Sequence, residues 1–159
     1  MTTSVITTPA KSQILKAGKK HHVYIAAPFF SPDQITRVQA IEYLLEKHGL
    51  TYFSPRKEIV CPPTATQEQR RQAFLSNDQG IQEAEMVIAI TDGKDVGTMW
   101  EMGLAYASNI PVVGVALTLG NAPFNLMLSE SCTTTCKTLD EVEEFITDGR
   151  TIYYEGEIE

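Results

Sequence analysis

The feature that most constrains this chain is one junction. Five apolar residues, Met86-Val87-Ile88-Ala89-Ile90, run into Thr91-Asp92-Gly93-Lys94-Asp95-Val96-Gly97 and then into the helix-forming stretch from Thr98 to Ala107. The apolar run reads as a buried strand, the Asp/Gly-rich segment as a turn, and the rest as a helix. In an open α/β sheet such a junction is where ligands bind, because strand ends open into a crevice and helix N-termini point N–H donors into it. On helical spacing Gly97, Glu101, Leu104, Ala105 and Ser108 share a face, which puts the Glu101 carboxylate on a stripe of small residues. The helix dipole favours the ionised form there, whereas apolar neighbours leave it poorly solvated.

Thr98-x-x-Glu101 also has the form of a capping box, which would give Glu101 a purely structural duty. Against that stand two aspartates before the helix, Gly97 at its entrance and Gly103 inside it. A mid-helix glycine costs about 1 kcal/mol relative to alanine, so Gly103 suggests a close approach to the backbone.

The rest of the chain repeats the same alternation. Residues 1–21 lack apolar periodicity and are expected to form a flexible tail; Lys19-Lys20-His21-His22 reads as a solvated entry to the first strand. His22 to Ala27 is a strand ending at Pro28-Phe29-Phe30. Ser31-Pro32-Asp33 opens a helix with Ile35, Val38, Ile41, Leu44 and Leu45 at helical spacing, closed by His48 and Gly49. Leu50 to Phe53 is a second strand, and residues 54–66 a proline-containing loop. A helix over Gln67–Ala84 precedes the central strand; inside it lie Asn77 and Asp78, both poor helix formers. Ile110 to Val115 is a fourth strand and Asn125 to Leu128 a single helical turn. A fifth strand near residues 131–134 and a helix over Leu139–Thr147 complete the pattern. This order predicts a single-domain, flavodoxin-like (Rossmann-like) α/β fold: a parallel five-stranded sheet with helices on both faces.

Composition excludes several partners. A net charge of −7 leaves no basic stripe for nucleic acid or an anionic membrane surface, and no apolar run reaches membrane-spanning length. Cys61, Cys132 and Cys136 are odd in number and lack metal-ligand spacing; with no signal peptide, they point to a reducing, cytoplasmic setting. The first strand ends in Ala26-Ala27-Pro28, so there is neither a dinucleotide fingerprint nor a Walker lysine loop, and no cofactor or metal is expected. A phospho-accepting receiver domain would need acidic residues there and is disfavoured.

Asp95-Val96-Gly97-x-x-x-Glu101-Met102-Gly103-x-Ala105 resembles the signature of the nucleoside 2-deoxyribosyltransferases. Asn77-Asp78 before Gly80-Ile81, Pro123-x-Asn125-Leu126-Met127, Tyr24 in the first strand and Tyr154-Glu155-Gly156 near the C-terminus follow in the family's order, over roughly residues 22–156. The resemblance implies a catalytic domain over 22–159 that exchanges the base of a 2′-deoxynucleoside with a free purine or pyrimidine base. It implies Glu101 as covalent nucleophile, Asp78 as the acid that protonates the departing base, Asp95 as a ligand for sugar or base, and Tyr24 as the group orienting Glu101. It also implies that Asn125, Met127 and the C-terminal segment around Tyr154 complete a site across a subunit boundary, in a hexamer or a dimer-based assembly. Phe29, Phe30 and Trp100 suit stacking on a base or a place in the core. The chain departs from the family at Trp100, Pro28 and the final Glu157-Ile158-Glu159. Two alternatives stay open: a deoxynucleoside 5′-monophosphate N-glycosidase, which would need a phosphate cradle, and a non-catalytic ligand-binding module.

Overall fold

A computed structural model describes residues 14–159. Five parallel strands form one sheet in the order β2-β1-β3-β4-β5: β1 His21–Ala26, β2 Tyr52–Phe53, β3 Ala84–Ile90, β4 Val112–Val115 and β5 Thr134–Cys136. The helices are α1 Pro32–Lys47, α2 Pro55–Glu58, α3 Gln67–Gln82, α4 Val96–Ala107, α5 Leu126–Ser131 and α6 Leu139–Asp148. This is the flavodoxin-like arrangement expected from the alternation of elements.

Side chains alternate across a strand, and the sheet uses that period to build two cores. Val23 and Ile25 of β1 with Met86, Ile88 and Ile90 of β3 pack on α1 and α6 through Val38, Ile41, Leu45, Val142, Phe145 and Ile146. Tyr24, Ala26, Val87 and Ala89 turn to the other face, against Ile81 of α3 and Met102 and Ala105 of α4. Strands β1 and β3 are therefore apolar at every position of their inner length, as burial between two helical layers requires.

Several boundaries differ from the sequence expectation. The loop after β2 contains the short helix α2, started by Pro55 at a position where a missing N–H costs nothing. Strand β3 begins two residues earlier than the apolar run, because Ala84 is buried and pairs with His21. The fifth strand lies over Thr134–Cys136, not 131–134, because Cys132 ends α5 as its C-cap. His48 is the C-cap of α1, followed by Gly49 at φ 68°. Of the expected N-terminal tail, residues 1–13 lie outside the described residues. Further on, the Lys16 N–H donates to Glu85 Oε1 at 2.7 Å and the Lys20 N–H to the Glu83 carbonyl at 2.8 Å.

Candidate active site

The strand order reverses between β1 and β3, so their C-terminal ends open a crevice with no crossing connection above it. A cavity of about 350 Å³ occupies that crevice. Its wall comes from the β1–α1 loop (Ala27, Phe29, Phe30), from α2 and the loop after it (Pro55, Ile59, Cys61), from α3 (Ala73, Asn77) and from the start of α4 (Asp95, Gly97, Thr98, Glu101).

The start of α4 is set by Asp95, not Thr98. Gly93 at φ 81° and Lys94 at φ 52° take the chain through a tight left-handed turn, closed by the Lys94 N–H donating to the Thr91 carbonyl at 3.1 Å. Asp95 is then the N-cap: its Oδ2 accepts from the Thr98 N–H at 2.9 Å and the Thr98 hydroxyl at 3.0 Å. The Thr98–Glu101 capping box therefore does not form, and Glu101 is left for other work.

Glu101 sits in the second turn of α4 and reaches back beneath the cavity. Its Oε1 accepts a hydrogen bond from the Tyr24 hydroxyl at 2.6 Å. No other hydrogen bond to this carboxylate exists among the described residues, so Oε2 is unpartnered. Burial is the main influence on its acidity and, with a smaller push from the Asp95 charge, outweighs the Tyr24 bond; the pKa rises from 4.5 to about 7. The contest between helix dipole and desolvation is thus decided for desolvation. A dipole is worth about 0.3–1 kcal/mol and fades after the first turn, while burial shifts a carboxyl by up to several pKa units. Tyr24 is itself held far above a normal phenol pKa, first by burial and then by the Glu101 charge, so it stays a donor at every ordinary pH.

Tyr24 is positioned by a stack that runs back to α3. Its ring lies on Phe53 of β2, with centroids 5.5 Å apart and planes 11° from parallel. Phe53 in turn fits against Gly80 of α3, where an added Cβ would come within 3.1 Å of the ring. The wall at α2 has its own anchor. Glu42 of α1 is 4% exposed and accepts from the Ser54 hydroxyl at 2.7 Å and the Arg56 guanidinium at 2.5 Å.

The remaining residues expected at the site are distributed unevenly. Asp95, Gly97, Phe29 and Phe30 line the cavity with Glu101, and Tyr24 lies beneath it. Asp78 is half-buried one turn on from Phe74, whose ring meets Trp100 of α4 at 5.3 Å. That places Asp78 on the side of α3 turned to α4, next to Asn77 but not among the lining residues. Trp100 lies against Phe74 at the rim between α3 and α4, 48% exposed, and does not line the cavity. Asn125 caps α5, its Oδ1 accepting from the Met127 and Leu128 N–H groups at 3.0 and 3.3 Å. It faces a second cavity with Asp92, Lys94 and Glu159. Met127 is 74% exposed in a groove between α4 and α5, and Tyr154 donates to the Ala122 and Glu157 carbonyls elsewhere on the surface. Within one chain these last three do not meet Glu101.

Gly103, read from sequence as a close approach, has nothing within 4 Å of an added Cβ and lines the same open groove as Met127. Sequence reasoning missed Ile59, Cys61 and Ala73, and marked Asn77 by its poor helix propensity and its place beside Asp78 without giving it a role. The first two sit in what reads as an irregular loop; only the Ala73/Asn77 spacing of four along a helix marks those two as sharing a face. Among the described residues no group of His, Cys, Asp or Glu is arranged to hold a metal ion, and no helix is long and apolar enough to cross a membrane.

Fold and cleft together define a flavodoxin-like α/β protein with a partly buried carboxylate at its switch point. A profile of the family described as nucleoside 2-deoxyribosyltransferase matches residues 23–138, and the chain belongs to that family of pentosyltransferase enzymes. Among solved structures it is similar to a 2-deoxyribosyltransferase from the psychrotolerant bacterium Bacillus psychrosaccharolyticus. The TM-score is 0.74 at 27% identity, covering 83% of this chain and 98% of that one. A conserved protein from Enterococcus faecalis matches with TM-score 0.65 and 18% identity over 80% of this chain and 98% of that one. A 2-desoxiribosyltransferase from Leishmania mexicana matches at 0.62 and 19%, over 82% and 100%. The last two show likeness of fold. No curated protein sequence matches the chain.

Proposed function

We propose that this enzyme exchanges the base of a 2′-deoxynucleoside with a free nucleobase by a retaining double displacement. Breaking an N-glycosidic bond builds positive charge on the sugar, so a carboxylate beneath C1′ and a proton donor at the leaving base are the groups the reaction needs. The observation that carries the reading is the Glu101 carboxylate in the crevice, with Oε1 held by Tyr24 and Oε2 free. Oε2 attacks C1′, the C1′–N bond breaks, and the electron pair leaves with the base, which takes a proton; the family resemblance makes Asp78 the donor, and for that its side chain must turn from α4 to the cavity beside Asn77. The incoming base then attacks C1′, the ester C1′–O bond breaks, Asp78 takes the proton back and the Glu101 carboxylate is restored. Asp95, with Oδ1 unpartnered among the described residues, binds the sugar or base. Phe29 and Phe30, whose rings lie 5.2 Å apart, give the flat base an apolar wall.

Asn125, Met127 and Tyr154 act from a neighbouring subunit. Support comes from their absence from the Glu101 cavity lining in one chain and from the exposed apolar residues beside Met127, Leu126 and Tyr106. An active monomer in light scattering would refute this part.

Deoxynucleosides are favoured over their 5′-monophosphates because no lysine or arginine among the described residues lines the cavity; Arg56 and Lys57 are turned to Glu42 and Glu46 instead. Incubation with deoxyinosine and free adenine tests the whole reading. Deoxyadenosine and hypoxanthine are the expected products by chromatography. Faster release of base from the monophosphate, with no deoxyadenosine formed, would make the enzyme a hydrolase.

A further inference from the structure

Among the described residues, four polar side chains with hydrogen-bonding groups beyond a thiol line the Glu101 cavity: Asn77, Asp95, Thr98 and Glu101. Three are tied to the protein. Thr98 donates its hydroxyl to Asp95, Asp95 caps α4 through Oδ2, and Glu101 is held by Tyr24. The Asn77 amide has no hydrogen bond within the protein among the described residues, and its Oδ1 is buried. A buried acceptor without a donor is a destabilising feature, and asparagine is also a poor helix-interior residue. Asn77 nevertheless stands mid-helix between Ala73 in the cavity wall and the fully buried Ile81, on the stripe of α3 that faces inward.

The surroundings limit what the missing partner is. The sugar belongs over Glu101, beside Asp95, Gly97 and Thr98, all from α4. Asn77 comes from a different wall, where the other lining residues are Ala73, Ile59, Pro55 and the two phenylalanines, which accommodate a flat ring and offer it little polarity. An asparagine amide presents an acceptor and a donor side by side. That pattern complements the amino/N7 edge of adenine, whereas the O6/N7 edge of hypoxanthine presents two acceptors and leaves Oδ1 without a donor.

We infer that Asn77 reads the base: Oδ1 accepts from the exocyclic amino group and Nδ2 donates to the adjacent ring nitrogen. The site therefore prefers amino-bearing bases such as adenine over their oxo counterparts such as hypoxanthine. This deepens the base-exchange reading, on which it rests for the class of ligand.

The test is calorimetric titration of free adenine and free hypoxanthine into the intact protein, its N77L variant and its N77D variant. The wild type should bind adenine more tightly. N77L, near in shape but without polar atoms, should lose about tenfold or more in adenine affinity and bring the two bases to parity. N77D keeps an acceptor and loses the donor, so it should retain more adenine affinity than N77L and lose hypoxanthine binding further. KM for the amino-bearing deoxynucleoside should rise with kcat within a few-fold. Equal weakening of both bases in N77L, or no change in either variant, would overturn the assignment and leave Asn77 a structural residue. Wild-type protein that binds neither base would also overturn it. Selective adenine binding lost in N77L, from an enzyme that transfers no deoxyribose, would uphold this inference and remove the base-exchange reading alone.

Discussion

Asp92 and Glu101 lie on the same turn-and-helix element, nine residues apart, and the protein treats them in opposite ways. Asp92 is 6% exposed and saturated: it accepts from the Leu117 N–H at 3.0 Å, the Thr118 N–H at 2.5 Å and the Thr118 hydroxyl at 2.5 Å. Those bonds fasten the loop after β4 to the end of β3. Glu101 has one donor, Tyr24, and a burial penalty that this donor does not offset. The saturated carboxylate serves the structure; the under-served one keeps the free oxygen that the proposed nucleophile requires. Full satisfaction stabilises the charge and removes its reactivity, while a single short bond fixes the position of one oxygen and leaves the other basic.

The sharpest way to break this contrast is Glu101→Gln. Base exchange should fall on the order of 10⁴-fold or more, the scale seen when a covalent nucleophile is removed. The midpoint of thermal unfolding should hold or rise, because a neutral amide suits the apolar surroundings better than a carboxylate. Turnover within tenfold of the wild type would return Glu101 to a structural role.

Asp92→Ala should show the reverse. It leaves two backbone donors and a hydroxyl without their partner, at a cost of about 2–4 kcal/mol in denaturant unfolding. Activity per folded molecule at low temperature should stay within a few-fold. A variant as stable as the wild type, or one folded but inactive, would erase the distinction between the two acids.

Tyr24→Phe sharpens the comparison by making Glu101 still less served. Loss of a hydrogen bond to a charged group is worth about 1.5–3 kcal/mol, so exchange should fall about 10- to 100-fold. Its pH profile should move alkaline, since the lost bond was the one lowering the Glu101 pKa. A profile unchanged in position would mean that Tyr24 does not tune this group.

The smallest effect is on stability against pH. With a pKa near 7 in the folded state against 4.5 ordinarily, Glu101 keeps a proton that the unfolded chain releases. Its contribution therefore makes the protein less stable as pH rises from about 4.5 to 7, while activity rises over the same range to a plateau above 7. Glu101→Gln should flatten that part of the stability curve. An identical slope in both proteins would place the titration elsewhere.

Much of the architecture was legible along the chain. The apolar runs at Val23–Ala26 and Met86–Ile90, and the helical spacing from Val38 to Leu45, specify parallel strands between helical layers, because period and burial are local consequences of backbone geometry. The strand-to-helix junction at Thr91–Ala107 fixed where the crevice would open and put Glu101 near it, and the motif around it pointed to the family. Short elements were less legible. Strand β5 is three residues long and α2 four, too short for a period to show.

What local sequence left undecided was the state of each polar group. Thr98-x-x-Glu101 satisfies the pattern of a capping box, yet the cap is Asp95, because the turn through Gly93 and Lys94 delivers the chain one residue after Lys94 with Asp95 already at the helix end. Two aspartates and a glutamate in the same ten residues look alike in sequence. Only the partners brought by β1, by the β4 loop and by the helix cap give them three different fates. Asn77 and Asp78 are adjacent in α3, and the helix turns one to the cavity and the other toward α4. Sequence determined the elements because hydrogen-bonded period is local. Tertiary structure decided which carboxylate is saturated and which keeps an unpartnered oxygen, because solvation and hydrogen-bond supply depend on residues 77 and 25 positions away in the chain: Tyr24 for Glu101, Leu117 for Asp92.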